Sequence, residues 1–281
     1  MGAIKEKMKR DMEIRGFSPR TQQNYLECAI RLVKHFMKSP DLLSLDDIHN
    51  YQLYLIRECG YATNTINQHV SAMRFLFGQT LQRTWRIEQI PYRKRSKRLP
   101  IALSREEVLR MYQATSNIKH KAMILTLYST GMRVSELIHL KVANIDRERM
   151  LIHIEEAKNQ KDRYVPLSEK LLEILRRYWI AKKPKSRIWM FPGRGGNAPL
   201  ARTSVAKMIQ SVRIKAGISK RVTTHTMRHT YATHMLEAGE DIRKIQILLG
   251  HRNIGTTSIY LHVAANDIRE AKNPLDSLDL D

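Results

Sequence analysis

Residues 224–251 read "THTMRHTYATHMLEAGEDIRKIQILLGH", and this stretch carries signals for two consecutive helices. Thr223 or Thr224 can cap the first helix, because a threonine hydroxyl accepts a hydrogen bond from a backbone N–H of the first turn. The pattern predicts that this helix runs to about Ala238 and stops at Gly239, since glycine readily adopts the left-handed conformation that ends helices. A second, shorter helix then fills most of the remaining residues.

Basic side chains gather on one face of the first predicted helix. His225, Arg228 and His229 lie three and four residues apart, a spacing that places them side by side. A metal site is a weak interpretation, because the zinc-protease motif needs Glu after the first histidine and Thr226 stands there. A guanidinium between two imidazoles would also repel a cation. Arginine forks and helix N-termini favour phosphate oxygens, so the pattern predicts a phosphate site and no metal.

The overall composition points to the same kind of ligand. The chain has 281 residues, of which 49 are Lys or Arg and 27 are Asp or Glu, giving a net charge of +22. Such an excess predicts a polyanionic partner, with simple solubility as the alternative interpretation. A hydrophobic content of 42% predicts a folded chain rather than a disordered one.

Cysteines and apolar runs bear on the compartment. Cys28 and Cys59 fall in predicted amphipathic helices, so we expect small buried thiols rather than a disulfide or a zinc site. No apolar run approaches the length of a membrane span, and the N-terminal residues lack the apolar core of a secretory signal. We therefore expect a cytoplasmic protein without a membrane partner.

Local signals divide the chain into three parts. Residues 1–84 contain four helical patterns, with capping signals at Ser18 and Ser44. Residues 85–100 read "WRIEQIPYRKRSKRLP", and their prolines and basic side chains predict an extended linker. Residues 101–281 form the larger third part.

The third part mixes helices with a short hairpin. A nearly apolar helix, "KAMILTLYSTG", ends at Gly131. Residues 150–156 read "MLIHIEE" and residues 162–168 read "DRYVPLS", and a lysine-rich turn joins them, so we expect two paired antiparallel strands. The predicted fold class is mainly α with a small antiparallel β-sheet, built as an all-α N-terminal domain followed by an α+β domain.

The linker contains a dense basic run. We expect its side chains to contact the phosphates of a nucleic acid, because a basic tether between two lobes suits a protein that closes around a rod of negative charge. The alternatives for this run are a nuclear localisation signal and a linker whose side chains are only solvated. The residues of this run are Arg93, Lys94, Arg95, Lys97 and Arg98.

Four further motifs carry groups suited to phosphate chemistry. "STGMRVSEL" places Arg133 after a glycine break, with Glu136 one turn further on. "EEAKNQKDRYVPL" places Lys158 in the turn between the two strands. "LLGHRN" ends the second helix and presents His251, and "TTSIYLHV" offers Tyr260 nine residues later. With the helix at residue 224, these motifs supply two guanidiniums, one ammonium, two imidazoles and a phenol.

Together these motifs resemble those of the tyrosine recombinases of the phage integrase superfamily, and the size and layout resemble its Xer-type members. The resemblance covers nearly the whole chain. It implies a helical, SAM-like core-binding domain over residues 1–84 that binds DNA, the linker over 85–100, and a catalytic domain over 101–281. It implies Glu136 as a support for the first arginine. The catalytic set that it implies is Arg133, Lys158, His225, Arg228, His251 and Tyr260.

The activity implied by the resemblance is the cutting and rejoining of DNA strands through a 3′-phosphotyrosyl bond, without metal, ATP or another cofactor. A free phenol has a pKa of about 10, so Tyr260 needs a base and a neutralised phosphate. His225 would accept its proton, the two arginines and His251 would bind the phosphate, and Lys158 would protonate the departing 5′-oxygen. The family's usual Gly-Lys-Gly-Asn-Lys turn reads Ala-Lys-Asn-Gln-Lys here, which leaves Lys161 as the alternative lysine.

The resemblance implies double-stranded DNA with specific recombination sites as the partner, bound by a homotetramer across two DNA sites, and a monomer as the form free in solution. A type IB topoisomerase would use the same groups to relax one duplex, and a DNA-binding regulator would cut nothing. The helical N-terminal part argues against the topoisomerase, and the complete set of polar groups argues against the regulator. In related enzymes the segment after the tyrosine docks onto a neighbouring subunit, and we expect the same of the residues after Tyr260.

Overall fold

The structure is a computed structural model, and it divides into two compact units, Met1–Lys97 and Arg98–Asp281. The predicted fold class is confirmed, because the described elements are mostly helices and one small antiparallel sheet. Among the described residues, no helix combines the length and the apolarity that a bilayer crossing requires. The structure describes residues 2–83, 85, 87–94, 99–155, 162–184, 188–251 and 253–262.

The first unit is a bundle of four α-helices. Its helices are α1 (Gly2–Ile14), α2 (Pro19–Phe36), α3 (Leu45–Arg57) and α4 (Thr63–Phe75), and a π-helical turn, Leu76–Thr80, follows α4. The two capping signals are confirmed: Ser18 accepts from a backbone N–H of α2, and Ser44 forms a full capping box at the start of α3. Cys28 is buried in α2, and burial raises the pKa of its thiol to about 11. Cys59 lies just after α3 and is partly exposed, contrary to the prediction.

The start of the predicted linker packs onto this bundle instead of extending from it. Ile90 is 1% exposed and belongs to the apolar core of the first unit. The buried Asn67 side chain both donates to and accepts from the backbone of Arg93, at 2.9 and 2.8 Å. Arg74 donates to the carbonyl of Ile90 at 2.8 Å. These bonds satisfy the backbone groups that an isolated linker would leave to water.

The second unit is built around the apolar helix α6, which packs against α8 and α10. Gly131 ends α6 with a φ of 60°, as predicted, and a side chain there would overlap the ring of Tyr231. The helices of this unit are α5 (Arg105–Gln113), α6 (Ile118–Thr130), α7 (Val134–Ile138), α8 (Glu169–Lys182), α9 (Arg202–Lys215), α10 (Thr224–Glu237) and α11 (Ile242–Leu249).

The sheet lies between α7 and α8 in the sequence and is antiparallel, with strand order β1-β2-β3. Its strands are β1 (Ile145–Asp146), β2 (Leu151–Ile154) and β3 (Arg163–Pro166). The predicted hairpin is confirmed, with Ile152 opposite Val165 in the register. The third strand, β1, was not predicted, because two residues are too few to show a strand pattern.

Candidate active site

Helix α10 begins as the sequence predicts. The hydroxyl of Thr223 accepts from the N–H of Thr226 at 3.1 Å, and the Thr226 hydroxyl accepts from the N–H of Thr223 at 3.0 Å. This reciprocal cap fixes the first turn, which carries His225, and places Arg228 one turn further, where it is 4% exposed. Partial burial, with the charges of Arg228 and Arg133, lowers the pKa of His225. The ring therefore favours the neutral form.

Arg228 lies in a buried pocket of backbone carbonyls. Its Nη1 donates to the carbonyl of Gly131 at 2.8 Å, and its Nη2 donates to the carbonyl of Leu249. Burial and the nearby charge of Arg133 lower its pKa to about 10, which still leaves the guanidinium charged at neutral pH. The two carbonyls hold the planar group in one orientation, so its position is set before any substrate arrives.

Arg133 is the N-cap residue of the short helix α7, and both its side chain and its backbone N–H donate to the carboxylate of Glu136. Its Nη1 donates to Glu136 Oε1 at 2.7 Å, while its backbone N–H donates to Oε2 of the same carboxylate at 2.7 Å. Its Nη2 also donates to the carbonyl of Gly250 at 3.2 Å. The side chain of Arg133 is 25% exposed, so it reaches the surface beside the buried Arg228. Glu136 therefore contacts the first arginine of the predicted set, and its support role stays a prediction.

A third guanidinium, from Arg163 at the start of β3, belongs to the same cluster. Its Nη2 and Nη1 donate to Glu136 Oε2 and Oε1 at 2.8 and 3.1 Å, and its Nε donates to the carbonyl of Leu248 at 2.7 Å. Burial alone would raise the pKa of Glu136, but the hydrogen bonds and charges of Arg163 and Arg133 lower it to about 2. The sequence analysis did not single out Arg163. The available signal was its strand position, two residues before the apolar Val165 and therefore on the inward face.

His251 follows the turn that ends α11. Gly250 takes a left-handed conformation there, and its N–H donates to carbonyls of the last helical turn. The Nδ1 of His251 lies 2.9 Å from the hydroxyl of the fully buried Thr257. Burial and the neighbouring arginine charges lower the pKa of His251 to about 4. The ring is therefore neutral at pH 7, and Nε2 is the nitrogen not used in the bond to Thr257.

Tyr260 lies in a 3₁₀ turn, Ser258–His262, and is 2% exposed. Its hydroxyl lies 2.9 Å from Nδ1 of His229 on α10. Burial raises the pKa of Tyr260 against the opposing effect of Arg228, and burial lowers the pKa of His229 to about 4. The sequence analysis assigned the phenolic proton to His225, whereas the hydroxyl pairs with His229 in this structure. The helical spacing had placed His229 on the same face as His225, but it gave no reason to prefer His229 as the partner of the phenol.

Two groups of predicted site residues are described in part or not at all. Lys158 and its alternative Lys161 lie outside the described residues, in the segment between β2 and β3. In the basic run, Arg93 and Lys94 are exposed, and the other three residues of that run also lie outside the described part of the chain.

Elements far apart in the sequence thus bring three guanidiniums, three imidazoles and a phenol together around α10 and the C-terminal end of α11. Such a set can hold the non-bridging oxygens of a phosphodiester and attack its phosphorus, which is the chemistry of a class of phosphoryl-transfer enzymes with a tyrosine nucleophile.

Comparison with known proteins gives the family. Residues 102–267 match the model described as "Phage integrase family", and residues 4–87 match "Phage integrase, N-terminal SAM-like domain". A Sinorhizobium fredii protein named as an integrase/recombinase is 43% identical over 279 residues, covering 99% of this chain and 90% of that protein. The tyrosine recombinase XerD of Oceanobacillus iheyensis is 33% identical over 275 residues, covering 91% of this chain and 92% of that protein.

A solved structure of similar fold is that of the XerH site-specific recombinase bound to its palindromic difH substrate. It has a TM-score of 0.76 at 19% identity, and the match covers 95% of this chain and 83% of that one. The chain belongs to the phage integrase family, and it is a tyrosine-type site-specific DNA recombinase.

Proposed function

We propose that this recombinase cuts double-stranded DNA at specific sites with Tyr260 as the nucleophile. The observation that carries the proposal is the grouping of Arg133 and Arg228 at the C-terminal end of α11, with Tyr260 held by the helix that carries Arg228. The two guanidiniums and His251 bind the scissile phosphate, and they stabilise the charge that builds up on its oxygens during attack. His225 accepts the phenolic proton, and His229 is the partner of the hydroxyl before DNA is bound.

The proposed reaction conserves the number of phosphoester bonds. The phenolic oxygen of Tyr260 attacks phosphorus, the bond to the 5′-oxygen breaks, and a 3′-phosphotyrosyl bond forms. The departing 5′-oxygen takes a proton from Lys158, because an alkoxide is a poor leaving group. A 5′-hydroxyl from another strand then attacks the phosphotyrosyl bond and releases the tyrosine. No external energy source is required, since one phosphoester replaces another at each step.

The proposed partner is DNA held by both units of the chain. The net charge of +22 supports this partner, and the similar XerH recombinase was solved on its difH substrate. We assign the helical first unit and the basic run Arg93–Arg98 to backbone contacts along the duplex. Exchange between two duplexes cuts four strands, and one nucleophile per chain then requires four copies. Because the substrate is chromosomal or mobile DNA, we place the reaction in the cytoplasm.

A nicked duplex that loses a short fragment on cleavage tests the nucleophile, because the covalent intermediate is then trapped. The recombination site is first recovered by sequencing DNA trapped from a random pool. We expect wild-type protein to stay attached to this DNA after denaturation. Tyr260→Phe keeps the ring and deletes only the hydroxyl, so it should bind the same DNA and trap none. Covalent attachment by Tyr260→Phe would exclude Tyr260 as the nucleophile. Recombinant products between two sites, formed by the wild-type protein, distinguish this enzyme from a topoisomerase.

A sulfur atom at the bridging 5′ position tests Lys158. Lys158→Ala should cleave ordinary DNA roughly 10²–10⁴-fold more slowly, the usual contribution of a general acid. A thiolate leaves without protonation, so the sulfur substrate should restore most of the rate to Lys158→Ala and none to Tyr260→Phe. The matched variant is Lys161→Ala. If the sulfur substrate rescues Lys161→Ala and leaves Lys158→Ala slow, the general acid is Lys161.

A further inference from the structure

Three consecutive carbonyl groups at the C-terminal end of α11 each accept a hydrogen bond from a different arginine. A helix leaves its last four carbonyls without partners inside the helix, and its dipole concentrates negative charge there. In α11 the N–H of Gly250 caps the carbonyls of Gln246 and Ile247. The remaining pairs are Leu248 with Arg163 Nε at 2.7 Å, Leu249 with Arg228 Nη2, and Gly250 with Arg133 Nη2 at 3.2 Å.

We propose that Arg163 is a positioning residue for the reaction, which acts by fixing Arg133 and the turn before His251 in their working places. This inference rests on the proposed function, since it concerns how the same phosphate site is held. Arg163 is 6% exposed, and its three guanidinium nitrogens are directed at Glu136 and at Leu248. The Arg133 side chain is 25% exposed and reaches the surface, where we place the scissile phosphate.

The shared carboxylate explains how Arg163 acts on Arg133. Both oxygens of Glu136 receive one bond from Arg133 and one from Arg163. A bidentate fork fixes the plane of a carboxylate, which a single contact leaves free to rotate. Glu136 held in this plane directs both the backbone N–H and the Nη1 of Arg133. Arg163 thereby sets the orientation of the Arg133 guanidinium through the carboxylate that the two arginines share.

The same side chain connects three separate elements. Arg163 begins β3, Glu136 lies in α7, and Leu248 lies in the last turn of α11, so the two partners come from sequence positions 27 and 85 residues away from Arg163. The backbone of Gly250 also packs against this guanidinium. A Cβ added to Gly250 would lie 3.2 Å from Nη1 and 3.3 Å from Cδ of Arg163, in addition to its left-handed φ of 64°. The turn that presents His251 is therefore built against Arg163.

The test compares two substrates that differ only in the charge of the scissile phosphate. One is the ordinary phosphodiester, and the other is a methylphosphonate, in which a methyl group replaces one charged non-bridging oxygen. A misplaced Arg133 weakens binding of that negative charge in the transition state. Its effect is therefore large on the phosphodiester and small on the neutral analogue, whereas a general loss of folding or DNA binding affects both equally.

Arg163→Lys is the first variant, because lysine keeps a charge opposite Glu136 but cannot form the fork and the bond to Leu248 together. We expect roughly 10²-fold slower single-turnover cleavage of the phosphodiester, the size of effect that a misplacement of about 1 Å produces. On the methylphosphonate we expect a loss of less than about tenfold, with unchanged DNA affinity. Arg163→Gln, which keeps two donors without a charge, is the second variant and should show the same pattern.

The controls separate this inference from the function that it rests on. Arg177→Gln removes an exposed guanidinium of α8, paired with Glu173 at 3.9 Å, and should leave both rates unchanged. Equal losses of Arg163→Lys and Arg163→Gln on the two substrates, or no loss on either, would overturn the positioning role. Covalent trapping by Tyr260→Phe would instead overturn the proposed nucleophile and leave the substrate dependence of the Arg163 variants to be judged by itself.

Discussion

The hydroxyl of Tyr260 is removed from water, and its 2.9 Å contact with His229 replaces the hydrogen bond that water would make. Because burial lowers the pKa of His229 to about 4, its ring is neutral at pH 7 and its Nδ1 can accept a hydrogen bond from the phenol. A buried hydroxyl that loses its partner costs about 1–3 kcal/mol. The resting position of the proposed nucleophile therefore depends on this pair.

A double-mutant cycle measures that dependence. His229→Phe keeps an aromatic ring but removes the acceptor, so we expect it to lower the free energy of unfolding by about 1–3 kcal/mol. In a Tyr260→Phe background no hydroxyl remains to be satisfied, and the cost of His229→Phe should fall by roughly 1 kcal/mol. Urea unfolding of the four proteins gives the coupling. Additive effects would mean that Tyr260 does not occupy this position in the free protein.

At the scale of single elements, signals confined to neighbouring residues predicted the structure well. The capping residues Ser18 and Ser44, the glycine stop at Gly131 and the face of α10 all depend on contacts within one turn, which the sequence records directly. The paired strands follow from two short strand-like runs on either side of a lysine-rich turn. These signals place Arg133 at the start of α7 and Arg228 one turn into α10 without any knowledge of the tertiary structure.

Contacts between distant elements could not be predicted in the same way. Arg163 binds Glu136 and Leu248, and no sequence pattern within β3 indicates either partner. The prediction for the start of the linker was wrong for a related reason. Prolines and basic residues predict an extended chain, but the buried side-chain amide of Asn67 forms hydrogen bonds with the linker backbone. In both cases a tertiary hydrogen bond to a buried polar group determines the structure, and the composition of a segment does not predict such a bond.

At the scale of the whole molecule, histidines with lowered pKa values link the stability of both units to pH. His69, in the first unit, is 2% exposed, and burial lowers its pKa to about 4. Burial, aided by nearby charges, holds the pKa values of His229 and His251, in the second unit, at about 4 as well. In the unfolded chain all three would titrate near pH 6.5, the ordinary value for histidine.

Acidification from pH 7 to pH 4 should therefore destabilise the protein. Between these two pKa values the unfolded chain binds protons that the folded chain does not, so the free energy of unfolding falls as the pH falls. The slope is at most about 1.4 kcal/mol per pH unit for each histidine, and smaller for the partly exposed His229 and His251. Urea unfolding at a series of pH values measures it. His69→Gln should flatten the slope, and an equal slope in His69→Gln and wild type would contradict this account.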